Sequence, residues 1–99
     1  MSFVTTQPDM LGAVAGDFTG IGSAMSAANP AAAVSTIGVV PAAADEVSAL
    51  TATQSAAHAS RYQTVIANAA AIQDQFVAAM AASADSYAVT EAANASAAG

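Results

Sequence analysis

From Pro8 onward the larger apolar residues fall at Leu11, Val14, Phe18, Ile21 and Met25, in steps of 3, 4, 3 and 4. Steps of that kind lie along one narrow face of a helix. Pro8 suits a first helical turn, and Asp9 beside it favours the positive end of the helix dipole. The residues before Pro8 carry no period. At Asn29-Pro30 the pattern breaks, because proline disfavours the helical region at the residue before it. The pattern therefore predicts helix 1 over about 8–28, with a kinked extension to Val34 left open by the alanines that follow Pro30.

Residues 35–44 predict a loop, since Gly38, the β-branched pair Val39-Val40 and Pro41 all oppose a continuing helix. Asp45 is a good N-cap, with Glu46 adding negative charge to the first turn. A start with Pro41 at the first helical position is the alternative. A second stripe then runs Val47, Leu50, Gln54, His58, Tyr62, Val65, Ala69, Ile72, Phe76, Met80, with a run of fours that resembles a stutter in a heptad. It predicts helix 2 over about 45–83, followed by a tail at 84–99 rich in Ala, Ser and Asn. No strand pattern appears. The fold class is all-α: two long antiparallel helices, a helical hairpin within one domain, 1–99.

Composition changes this picture in one respect. Alanine makes up 31 of the 99 residues, whereas Leu, Ile, Val and Phe together make only 18. Alanine orders a helix at no side-chain entropy cost but brings little area to a core. Each stripe also has apolar shoulders, Met10 beside Leu11, Ile66 beside Val65 and Val77 beside Phe76, which one hairpin seam leaves wet. A thin core with such shoulders calls for a partner, one or two further helices that complete a bundle.

Charge narrows the function. Seven acids face one base, Arg61, for a net charge of -6. Binding by phosphate neutralisation needs several basic residues, so no nucleic-acid partner is expected. With no cysteine there is neither a disulfide nor a thiolate metal site. The single His58 makes a poor metal site and reads as an interface or core histidine. Ser55, His58 and Asp45 share no local helical geometry, and no nucleophile elbow is present. No catalytic, cofactor or metal residue is expected. The opening Met1-Ser2-Phe3-Val4 lacks a basic region and a long apolar run, so it does not read as a secretory signal peptide. No window of strongly apolar residues is long enough for a membrane-spanning helix.

Several segments carry a resemblance together: Met1-Ser2-Phe3-Val4, Pro8-Asp9, Gly20-Ile21-Gly22, the run from Gly38 to Leu50, Ala57-His58-Ala59, Asp74-Gln75-Phe76-Val77 and Ser86-Tyr87-Ala88. The chain resembles the mycobacterial PE family over essentially its whole length, in the form of a short, PE-domain-only member. Tyr87 and Glu91 match the family's Tyr-x-x-x-Asp/Glu spacing after helix 2. Asp9 stands in place of the glutamate of the namesake Pro-Glu pair and keeps its charge. Pro30 lies where many relatives have alanine.

The resemblance implies a PPE family partner whose helices complete a four-helix bundle. It implies export of the pair by a type VII (ESX) secretion system to the cell envelope or beyond, after a chaperone-bound stage in the cytosol. The chaperone is expected to act through the PPE subunit, at the end away from the Tyr87 tail. Tyr87 and Glu91 are the expected export motif, read by the secretion machinery with a Trp-x-Gly turn from the partner. The expected partner interface is the two stripes: Leu11, Val14, Phe18, Ile21 and Met25, with Val47, Leu50, His58, Tyr62, Val65, Ile72, Phe76 and Met80. The alternative expectation is a membrane-associated protein of the outer envelope that aids solute passage together with its PPE partner.

Overall fold

In a computed structural model, which describes residues 4–99, the chain folds into two helices, α1 (Pro8–Ile37) and α2 (Glu46–Ala98). No strand occurs among the described residues. The opening Met1-Ser2-Phe3, read above as part of a non-helical start, lies outside the described residues.

α1 begins where the sequence places it. The Gln7 carbonyl accepts from the Met10 and Leu11 N–H groups at 3.1 and 3.2 Å, and Pro8 takes the first helical position. Its end differs from the expected 28 or 34. The helix runs through Pro30 to Ile37, 30 residues in all. A mid-helix proline loses one N–H and crowds the carbonyl four residues earlier. Ala27, Ala28 and Ala31 to Ala33 surround it with the strongest helix formers, and these carry the helix across the defect. The last turn is tied back on itself, with the Ser35 and Thr36 hydroxyls donating to the Ala32 carbonyl at 3.2 and 2.7 Å. Val40 then precedes Pro41 and is forced out of the helical region. The loop shrinks accordingly, to residues 38–45.

α2 starts on its expected cap. Asp45 Oδ1 accepts from the Ser48 N–H at 2.8 Å, and Asp45 Oδ2 accepts from the Ser48 hydroxyl at the same distance. Its end, expected near Ser83, lies instead at Ala98. Neither Gly nor Pro interrupts the sequence after Asp45, and the presumed tail is one more alanine-rich length of helix. Gly99, at φ +79°, adopts the left-handed backbone that ends helices.

The chain divides into two packed units. One is the hairpin unit, Gly22–Ile72, which holds the end of α1, the loop and the start of α2. The other joins the segment up to Ile21 with Gln73–Gly99. Within this terminal unit the pairing is antiparallel: Thr6 meets Glu91, whereas Phe18 meets Gln73 and Phe76. Four residues are buried among those described, Ala15, Ala52, Ala59 and Ala84, and all are alanine.

Candidate functional site

In the hairpin unit the covered face of α2 is made of Ala52, Ala56, Ala59, Gln63, Ile66 and Ala70, in steps of 4, 3, 4, 3 and 4. This heptad is built mainly from small residues, which let neighbouring helix backbones approach closely. The stripe of larger residues lies on the adjoining face. Val47, Leu50, His58, Tyr62, Val65 and Ile72 are all exposed, Val47 to 74% and Ile72 to 66%. Met25, Val34 and Ile37 on α1 are exposed as well.

The terminal unit divides its apolar residues similarly. Leu11 and Phe18 of α1, with Val77 and Met80 of α2, are half-buried. Val14, Ile21 and Phe76 are exposed. The expected shoulders are therefore misplaced in two cases. Ile66 and Val77 are half-buried, and it is most of the large-residue stripe that stays in water; only Met10 keeps the wet position expected of a shoulder. Of the residues expected to face a partner, Leu11, Phe18 and Met80 are drawn partly into the chain's own packing, Phe76 touches it through the Phe18 ring while staying half exposed, and the others remain exposed.

Next to the loop, the hairpin unit also holds an open cleft of about 630 Å³. Ala32, Thr36 and Val39 line one part of it, and Gln54, His58, Ala59 and Tyr62 another. Ser55 and His58 share that cleft, whereas Asp45 is engaged in capping α2, so no triad is assembled. Among the described residues no group of three His, Cys, Asp or Glu is placed to hold a metal ion.

The expected motif lies on α2 in the terminal unit, with Tyr87 and Glu91 one turn apart on one face. Their environments differ. Tyr87 is 47% exposed. Glu91 is half-buried, and its Oε1 accepts from both the N–H and the hydroxyl of Thr6 at 2.9 Å. The Thr6 N–H, then the Thr6 hydroxyl, hold the Glu91 carboxyl below its usual range, with a smaller contribution from Asn94. Glu91 is thus part of the chain's own packing.

One further expectation changes. α2 contains an 18-residue stretch long and apolar enough, by length and composition, to cross a membrane, and none of that stretch is buried. Strongly apolar residues alone do not mark this stretch. Alanine supplies most of the apolar character here.

Comparison with known proteins follows the same helices. The model of the PE family matches residues 4–94. The PE family protein PE13 of Mycobacterium tuberculosis strain H37Rv is 62% identical over 98 residues, covering 99% of both chains. PE_PGRS34, an uncharacterized PE-PGRS family protein of the same strain, is 55% identical over 97 residues. PE_PGRS33, a PE-PGRS family protein of strain CDC 1551, is 55% identical over 95 residues. The chain spans only 19% and 20% of the lengths of those two relatives.

Proposed function

As the chain belongs to the PE family, we propose that it is the PE subunit of a heterodimer with a PPE protein, exported by a type VII (ESX) secretion system to the mycobacterial cell envelope or beyond. The role is non-enzymatic: the chain supplies two helices of a bundle and one part of an export signal. One observation carries this reading. Among the described residues only alanines are buried, and large apolar residues stay exposed on both helices. A pair of partner helices laid along those faces would complete a four-helix bundle. Apolar patches of that extent on a soluble chain mark an interaction site.

Export enters through Tyr87 and Glu91. Tyr87 offers an exposed ring and hydroxyl to the secretion machinery, and Glu91 stands one turn away. A chaperone acting on the PPE subunit would leave this end of the chain accessible. Co-expression with candidate PPE proteins, followed by pull-down and by paired blots of cell lysate and culture filtrate, tests both parts. The expected result is one PPE protein recovered in equal amount with the chain, and export of the pair that Tyr87→Ala abolishes. Absence of any PPE partner, or normal export of Tyr87→Ala, contradicts the corresponding part.

A second reading, membrane association in the outer envelope to aid solute passage together with the PPE partner, is favoured by one feature, the exposed apolar stretch of α2. Flotation of the heterodimer with liposomes separates the two readings. Recovery in the lipid fraction supports membrane association, and recovery in the dense fraction supports a soluble exported pair.

A further inference from the structure

Thr6 and Glu91 are 85 positions apart, yet a single carboxylate oxygen receives both donors of Thr6 at 2.9 Å. Thr6 precedes α1, so its N–H belongs to no helix ladder and needs a partner from elsewhere. The carboxylate supplies one, and bonds to an ionised acceptor are the stronger kind. Both residues are half-buried, and Ala15 and Ala84 are buried in the same unit. Tyr87 lies one turn before Glu91, about 6 Å along the helix axis.

We propose that Glu91 is a positioning residue. Its carboxylate ties the segment before α1 to α2, and the surface presented around Tyr87 is therefore composed of both ends of the chain. On that one face Tyr87 stays exposed to be read, Glu91 holds Thr6, and Thr6 becomes a third determinant of the same signal. The tie itself rests on geometry alone, and its link to export rests on the function proposed above.

The test uses the full chain, co-expressed with the PPE protein that pulls down with it. Hydrogen exchange at the Thr6 amide reads the tie. Paired lysate and culture-filtrate blots read export, with pull-down as the folding control. In the unsubstituted chain the Thr6 amide is protected, and Glu91→Ala lowers that protection by about tenfold or more. Thr6→Val, which removes the hydroxyl and keeps the shape, reduces export in the same direction as Glu91→Ala. Thr6→Ser, which restores both donors, is exported normally. A merely structural role for the Thr6 side chain would not distinguish serine from valine in export while pull-down stays constant.

Two outcomes overturn the proposal. One is an unprotected Thr6 amide in the unsubstituted chain. The other is normal export of Thr6→Val while Glu91→Ala is retained in the cell, which would mean that the machinery reads the carboxylate itself. Failure of the export reading looks different: Tyr87→Ala, Thr6→Val and Glu91→Ala would all be exported normally, while protection at Thr6 still depended on Glu91. That result upholds the tie and removes its link to export.

Discussion

Phe18 of α1 meets Phe76 of α2 edge to face, with ring centroids 5.6 Å apart and planes at 88°. The Gln73 side-chain amide donates to the Phe18 carbonyl at 2.9 Å, one turn away on α2. The two contacts join α1 to α2 within the terminal unit. Phe18→Ala should lower stability by about 2 kcal/mol, from lost apolar burial together with the edge-to-face term. Phe18→Asp should be worse, because it places a charge against an aromatic ring without a partner. Asp17→Asn, at an exposed position beside it, should be nearly silent. Urea titration of the heterodimer compares the three. Equal midpoints would mean that Phe18 does not lie in the packed seam.

Pro30 sits inside α1 at an exposed position. Pro30→Ala should restore one helical hydrogen bond and relieve the crowding, raising stability by about 1–3 kcal/mol, part of which the more flexible unfolded chain takes back. Thermal melting followed at a helical wavelength reads the change. A lower melting temperature would mean that the irregularity at Pro30 is needed by the fold.

Gly38 ends α1 under a steric constraint. A Cβ built there would lie 2.9 Å from the Val34 carbonyl oxygen, closer than a real carbon tolerates. The Gly38 N–H already donates to that same oxygen at 3.3 Å. Gly38→Ala should force the turn apart and cost about 1 kcal/mol or more. Gly12→Ala, with open space around the added carbon, should instead stabilise α1. Melting temperatures that move the same way for both variants would contradict this distinction.

Acid should loosen the ends of both helices. The Asp45 carboxyl is held below its usual range, first by the Ser48 N–H and then by the Ser48 hydroxyl. Glu91 is held low by Thr6. A carboxyl whose folded pKa is depressed contributes stability that is present above its unfolded pKa. That contribution is lost as the pH falls through the folded value. Stability should therefore be level near neutrality and decline below about pH 4. Asp45→Asn keeps a good cap at neutral pH and should flatten the acid limb, as should Glu91→Gln. A pH profile unchanged by both substitutions together would contradict these assignments.

Much of the fold was legible because helices write their period into the sequence. The steps at Leu11 to Met25, the cap at Asp45 and the start at Pro8 all correspond to what the structure holds. The ends were less legible, since Pro30 and the alanine-rich tail set local propensities against a rule of thumb. Pro30 marked a break that six flanking alanines, Ala27, Ala28, Ala31, Ala32, Ala33 and nearby Ala24, outweighed. The choice of seam was misread for a physical reason. The apolar period is carried by the largest side chains, but the hairpin unit packs mainly its smallest ones and leaves Val47, Leu50 and Tyr62 outside. A heptad of alanine is nearly invisible in a chain that is one third alanine. The Thr6–Glu91 tie had no sequence signal at all, because one partner lies in a segment without period and the other 85 positions away.

The most direct measurement is hydrogen exchange across α1 and α2, on the isolated chain and on the same chain bound to its PPE protein. The account predicts weak, non-cooperative protection when the chain is alone, since among the described residues full burial is confined to alanines. On binding, protection should rise along the turns that carry Val14, Ile21, Leu50, Tyr62, Val65 and Ile72, and unfolding should become cooperative. A chain that is strongly and uniformly protected by itself, with no change at those turns on mixing, would contradict the claim that its exposed faces are built for a partner.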